Sequence, residues 1–445
     1  MVLYLALLLP LAWASLSFFD KQGQFHPVPQ APSLAVVRGS ILDRDGRVLA
    51  EGDAEARRYP QREIAAHVVG FSGAKQGDGR YGLEGLEHTL DDRLQQGESI
   101  RTTLDLSLQS SSQESLRQVA QSYQAESGAA IVLQAGTGQI LAAASYPEFD
   151  PNHYRNYEDY SYLNRPFMQV FDPGSVFKPM VVAAALESKL IDPQQVFNVP
   201  MEMTIGSKRF SDVLAHGPQL VTGELLKYSS NVGMIQVAAA FRSADLYWWL
   251  EDFGFGRTPP LRKLFVKDGV LRSWEKWVPQ DQAALAIGQG VNVSLLQLAL
   301  AYSVFANEGF YIPPSIILGE APGEQRRVVS VEVANEILGM LVATAEYGSA
   351  RNALVPGVKI AGKTGTADAF DSLSRQYRPG DYNTCFAGIF PADAPKAIAV
   401  VCLQKPKGER LYGSTVAAPI FRTIVSETMS LWGLAPESPT YVATR

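Results

Sequence analysis

Thiols, paired histidines and surplus positive charge are all scarce in this chain. Two cysteines in 445 residues cannot make a disulfide framework or a thiolate metal site. The five histidines (His26, His67, His88, His153 and His216) are scattered, without the paired spacing of a zinc hydrolase. No metal and no cofactor are therefore expected. The formal net charge is −6, which argues against nucleic acid as a partner, because phosphate binding needs a basic surface. Internal repeats are missing too. With 46% hydrophobic and 19% charged residues the composition is globular, and the length calls for two units of unequal size.

One absence is local. Met1 to Phe19 carries no charged side chain and is rich in Leu, Ala and aromatics. As a helix such a span crosses roughly 30 Å of hydrocarbon. Ala12-Trp13-Ala14 resembles a signal-peptide cleavage site, but the first basic residue is Lys21, after the apolar run rather than before it. The reading favoured here is an uncleaved anchor over 1–19, which places the remainder outside the membrane. A linker over 20–35 follows, Pro- and Gln-rich from Gln22 to Pro32. Val36 to Ala50 reads as a hairpin turning at Asp45-Gly46, and 36–126 as a small accessory domain.

A composition shift near Ser127 opens the main domain, set at 127–435 with a tail over 436–445. Residues 129–133 and 139–144 read as strands. Apolar recurrence at three and four residues marks helices within 176–190, 221–250 and 283–306. Strands return over 358–361, 384–390 and 397–403, and an amphipathic helix, 416–431, closes the domain. Strands first, helices in the middle and strands last imply an α+β domain of the α/β class, whose sheet joins distant segments. Residues 367–384 read as a mobile lip.

Ser-x-x-Lys occurs three times, at Ser72, Ser175 and Ser273. Ser72 falls in a Gly-rich stretch and Ser273 in a charged turn, whereas Ser175 follows Asp172-Pro173-Gly174 and opens an Ala-rich helix. There the i,i+3 spacing puts Lys178 on the same face as Ser175. A serine nucleophile needs a base, and no histidine is placed by motif to serve. Lys178 can do so if its neutral form is favoured by roughly 4–5 kcal/mol, which burial can supply. Alone, this motif more often marks a helix cap with a snorkelling lysine. Ser229-Ser230-Asn231 and Lys363-Thr364-Gly365-Thr366 occur once each, in the order that completes a three-part acyl-transfer signature. In it Ser229 can relay a proton, Asn231 can hold substrate backbone, and Lys363 and Thr366 can bind a terminal carboxylate. Lys363 to Thr366 follow the apolar strand that begins at Val358; Thr364 joins the substrate-binding set, and Gly365 leaves room for a ligand strand against the sheet edge. The amides of Ser175 and Thr366 can form an oxyanion hole.

With these motifs in place, the sequence resembles the class B penicillin-binding proteins, the monofunctional transpeptidase type. Arg38 to Arg44, Tyr59-Pro60, Gly82 to Glu87, Thr103 to Asp105, Asp150 to Asn152 and Gly288-Gln289-Gly290 extend the likeness over most of the chain. The resemblance implies a penicillin-binding/β-lactamase-like transpeptidase domain. Its five-stranded antiparallel sheet would be flanked by helices and joined by an all-helical subdomain, with a small N-terminal pedestal. It also implies acylation of the serine by peptidoglycan stem peptides, trapping by β-lactam antibiotics, attachment to the membrane and partnership with a SEDS-type glycan polymerase. One departure is clear: Ala50 is followed almost at once by Tyr59-Pro60, where the family has a long excursion, so the pedestal is reduced. The segment before Ser127 is also too short for a glycosyltransferase domain. A β-lactamase shares the triplet, and a scaffold with a vestigial site shares the fold; both stay open as rivals. Cys385 and Cys402 face each other if the turn between their strands centres on Asp393-Ala394, which leaves a disulfide or two buried thiols.

Overall fold

The computed structural model describes residues 38–53, 56–74, 80–320, 323–371 and 376–434. The anchor read over 1–19, the linker over 20–35 and the tail over 436–445 lie outside them. Among the described residues no helix is long and apolar enough to cross a membrane.

The centre is one antiparallel sheet of five strands: β1 (Ser127–Gln134), β2 (Ile140–Tyr146), β3 (Ala361–Asp371), β4 (Gln376–Phe390) and β5 (Ala397–Gln404). Its spatial order is β3-β4-β5-β1-β2, so two chain segments more than 200 residues apart meet at the β5–β1 seam, where Val400 lies opposite Ile131. Both faces are covered, and successive residues divide between them as the strand's period of two requires. Ala130, Val132, Phe386 and Val401 pack with helices α1 (Leu106–Ser122) and α7 (Gly413–Leu431). Ile131, Leu133, Ala387 and Val400 join the core built with α2 (Lys178–Glu187), α4 (Asn231–Ala239), α5 (Leu295–Ala306) and α6 (Val331–Tyr347). Burial on both faces explains why these strands are nearly continuous apolar runs rather than alternating ones.

Cys385 pairs with Cys402 in register, and their sulfurs are bonded. The lip reading of 367–384 is overturned. β3 and β4 continue through most of this segment as paired backbone, out to Asp371 opposite Gln376, so it is the far end of a hairpin. Polar composition concealed it, because strand pairing there depends on the partner backbone and not on apolar side chains. Lys363 to Thr366 likewise lie within β3 rather than after a strand. Ser72 is buried and stands on a short strand, Ser72–Ala74, its amide donating to the Tyr59 hydroxyl at 2.7 Å, and not in a loop.

The N-terminal unit is held by a buried charge cluster. Arg38 donates to Glu87 Oε2 through Nε (2.9 Å) and Nη2 (2.6 Å), Arg57 Nε donates to Glu87 Oε1 (2.6 Å), and Arg38 Nη1 reaches Asp91 at 2.7 Å. Glu87 is fully buried, and both guanidiniums are nearly so. The unit docks on the main domain through Asn152, whose side chain both accepts from Tyr59 N–H (3.0 Å) and donates to Tyr59 C=O (2.9 Å). Asp150 orients Asn152 from below and pairs with Arg62.

Candidate active site

The segment before Ser175 is set by its neighbours. Val170–Phe171 pairs with Val293–Ser294, and Gly174, at φ +59°, donates its N–H to Gly288 O at 3.0 Å. Gly288 is at φ +75°, and a Cβ there would fall 2.1 Å from Gly174 O. Only glycine permits that approach. The chain then makes a 3₁₀ turn, Gly174–Phe177, before α2 begins at Lys178. Ser175 therefore lies in the turn and Lys178 at the first position of the helix, three residues on. Tyr302 Oη clamps the turn by donating to Val176 O at 2.8 Å.

Lys178 is fully buried, yet its amine points at oxygen: Ser229 O at 2.6 Å, Asn231 Oδ1 at 2.7 Å and Ser229 Oγ at 3.3 Å. Ser229 sits at the end of α3 (Thr222–Lys227) and is held in the left-handed region at φ +56°. That conformation is costly for a residue with a Cβ, and it turns both the carbonyl and the hydroxyl toward Lys178. From the sheet side Lys363, also fully buried, donates to Ser229 Oγ at 2.8 Å. Two lysine amines thus share one hydroxyl. Burial holds Lys178 well below its ordinary value, and the Lys363 charge adds to this while Asp212 opposes it. Burial pushes Lys363 down to about 7. Burial thus favours the neutral form of both amines that meet at the Ser229 hydroxyl.

β3 is an edge strand, and one of its sides faces the Ser175 turn. A Cβ on Gly365 would lie 2.8 Å from Pro173 O and 3.1 Å from Val176 Cγ1, so this glycine lets the strand and the turn meet. Thr364 Oγ1 donates to Ser349 Oγ at 3.1 Å, and Thr366 Oγ1 accepts from Gly413 N–H at 3.0 Å, at the start of α7. The residues singled out from the three motifs thus come together where the β3 edge meets the Ser175 turn and the helices. Asn231 meets Lys178 through Oδ1 and Ser211 O through Nδ2 (2.8 Å).

Several residues of this site carry no motif. Asp212 lies behind Asn231 and binds its backbone. Ser349 and Gly413 brace Thr364 and Thr366. Lys208 Nζ donates to Gln289 Oε1 at 3.1 Å and lies over the Phe210 ring. Gly288-Gln289-Gly290 is legible in the sequence as a family feature, but that Gly288 shapes the turn before Ser175 is not. Nothing local marks the others, because each acts through a contact with a distant segment.

Comparison with known proteins agrees with this geometry. Residues 128–426 match the penicillin binding protein transpeptidase domain family. The chain is 30% identical over 409 residues to a probable peptidoglycan D,D-transpeptidase PenA of Neisseria gonorrhoeae, covering 86% of this chain and 70% of that one. It is 30% identical over 414 residues to the peptidoglycan D,D-transpeptidase FtsI of Escherichia coli, covering 87% and 69%. Among solved structures, penicillin binding protein 3 of Mycobacterium tuberculosis superposes with a TM-score of 0.83 at 30% identity, over 91% of this chain and 98% of that one. The same protein has been solved with aztreonam and with ampicillin.

Proposed function

Since the chain belongs to the penicillin binding protein transpeptidase domain family, we propose that Ser175 is its nucleophile, that Lys178 and Ser229 move the protons and that Lys363 binds the terminal carboxylate. The protein is a serine-type peptidoglycan D,D-transpeptidase of the class B kind, acting on stem peptides and inhibited by β-lactams. The observation that carries the residue assignment is the convergence on the Ser229 hydroxyl of two buried lysines, one of them three residues after Ser175.

In the first half-reaction neutral Lys178 takes the Ser175 hydroxyl proton as Oγ attacks the carbonyl carbon of the penultimate D-alanine. The N–H groups of Ser175 and Thr366 stabilise the oxyanion, worth about 3–4 kcal/mol per donor in comparable sites. Lys178 returns its proton through Ser229 to the departing D-alanine amine, leaving an ester on Ser175. In the second half an amine from a neighbouring stem attacks the ester, loses its proton along the same path, and restores the Ser175 hydroxyl. Lys363 with Thr364 and Thr366 receives the terminal carboxylate, Gly365 lets the substrate lie along the β3 edge as an added strand, and Asn231 holds its backbone. Water in place of the amine gives a carboxypeptidase side reaction.

The proposal extends to location and partner. The uncharged Leu- and Ala-rich span 1–19 supports a single-pass anchor in the bacterial inner membrane, with the catalytic domain on its outer side. Partnership with a SEDS-type glycan polymerase rests on the family resemblance, with less surface to carry it in the reduced unit before Ser127. Full-length protein in detergent, incubated with fluorescent penicillin beside Ser175→Ala, tests the chemistry. A long-lived adduct on Ser175, absent from the variant, is expected. Label that decays within seconds means a β-lactamase, and a folded protein that takes no label ends the catalytic assignment.

A further inference from the structure

Asp212 lies 17 residues before Ser229, outside every motif, directly after the strand Lys208–Ser211. Its side chain is 1% exposed. Oδ1 accepts the N–H groups of Asn231 and Val232, the latter at 3.0 Å. Oδ2 accepts the Ser230 hydroxyl at 2.6 Å and His216 Nε2 at 2.7 Å. Ser230 Oγ already caps α4 by accepting from Gly233 N–H at 2.9 Å, so a second, distant carboxylate is more than this helix end needs. Its neighbours bind the reacting groups: the Asn231 amide spans Lys178 Nζ and Ser211 O.

The His216 ring defines the charge state of the pair. Nε2 faces a carboxylate oxygen at 2.7 Å and Nδ1 faces Gly217 O at 2.7 Å. Both neighbours only accept, so both contacts are hydrogen bonds only if both nitrogens carry protons. Burial works against the charged ring, but Gly217 O and Asp212 outweigh it and raise His216 above its ordinary value. The other group against the ring is Tyr228, 6.0 Å between centroids, with the Lys227 amine over it at 5.1 Å. Around Lys178 the charged groups are Lys363 and Asp212.

We propose that Asp212, balanced by the His216 imidazolium, is a positioning residue for acylation: it holds Asn231 against Lys178, and its charge offsets that of Lys363 at the Lys178 amine. This rests on the transpeptidase reading above. Asp212 and His216 touch no substrate; they act through Asn231 and through the field at Lys178. An opposite charge favours the protonated amine, so removing Asp212's charge makes Lys178 neutral at lower pH, and removing His216's charge does the reverse.

The test is the second-order rate of Ser175 labelling by penicillin across pH, in full-length protein. Asp212→Asn keeps an acceptor for the Asn231 and Val232 amides but not the charge, so the acidic limb is expected to move down by about one unit. His216→Gln keeps a donor to Asp212 without the charge, and its limb is expected to move up. Asp212→Ala loses the acceptor and is expected to label roughly 10- to 100-fold more slowly at every pH. A helix cap with only a structural role lowers stability and leaves the limbs in place. Limbs in both charge variants that coincide with wild type, or move together, overturn the proposal even if Asp212→Ala fails to fold. Wild-type protein that takes no label overturns the parent reading instead.

Discussion

Gly288→Ala concentrates the argument about the nucleophile turn into one methyl group. The new Cβ would lie 2.1 Å from Gly174 O, 2.7 Å from its carbonyl carbon and 2.8 Å from its nitrogen. All three are backbone atoms, so no side chain can rotate away. Reaching ordinary contact requires Gly174, the residue before Ser175, to retreat by roughly 1.3 Å. Alanine at φ +75° adds about 1–2 kcal/mol of left-handed strain. Losing the bond from Gly174 N to Gly288 O adds about 1 kcal/mol. The expected destabilisation is therefore about 2–3 kcal/mol. A displacement near 1 Å at the nucleophile predicts about a 100-fold loss of acylation rate. Gly290→Ala is the control: its φ is +74°, but its Cβ would meet only the Arg272 Nη2 atom, at 3.9 Å. It should carry the strain and keep the acylation rate. Denaturant titration and fluorescent-penicillin labelling of both variants decide the matter. If Gly288→Ala labels within threefold of Gly290→Ala, the close approach does not control Ser175 and the reasoning fails.

Three further outcomes follow from the charge, histidine and disulfide arrangements. Glu87→Gln leaves Arg38 and Arg57 buried against a neutral amide, and is expected to lower the free energy of unfolding by about 3–5 kcal/mol in urea titration. His67 is pushed down to about 3, by burial first and by Arg165 second. Its folded value lies below its unfolded one, so its contribution is complete above about pH 6.5 and is lost as pH falls from there toward about 3. A melting-temperature series over that range should be flatter in His67→Gln than in wild type. The Cys385–Cys402 bond closes a 17-residue separation, for which chain entropy predicts about 3 kcal/mol. Reductant should lower the melting temperature of wild type and leave the Cys385→Ala, Cys402→Ala double variant unmoved.

Much of the site was legible because its parts are local. Lys178 is three residues from Ser175, Asn231 is two from Ser229, and Lys363 to Thr366 are contiguous, since each group is presented by a single turn or strand. The sheet was legible where both faces are buried, over 129–133 and 397–403, and illegible over 367–384, where pairing runs through backbone between polar side chains. The left-handed Ser229, the two amines on its hydroxyl and the Asp212–His216 pair left no local trace. Arg38 and Glu87 each stood in a recognisable segment, 49 residues apart, with nothing in either to say that one neutralises the other.

By itself the sequence determined the chemistry available: a serine at a helix entry with a lysine three residues on, no histidine placed by motif beside it, and a Lys-Thr-Gly segment, in a chain with too few thiols for a metal site. Those are properties of residue type and short spacing, set by backbone geometry alone. Tertiary structure decided how that chemistry is tuned. It buried both lysines so that their neutral forms are accessible, and it used Gly288 and Gly365 to bring a turn and a strand edge together. It also placed a carboxylate from a neighbouring hairpin behind the second motif. Burial, close backbone approach and long-range charge depend on what lies across a contact, and that is fixed only when segments distant in the chain are packed side by side.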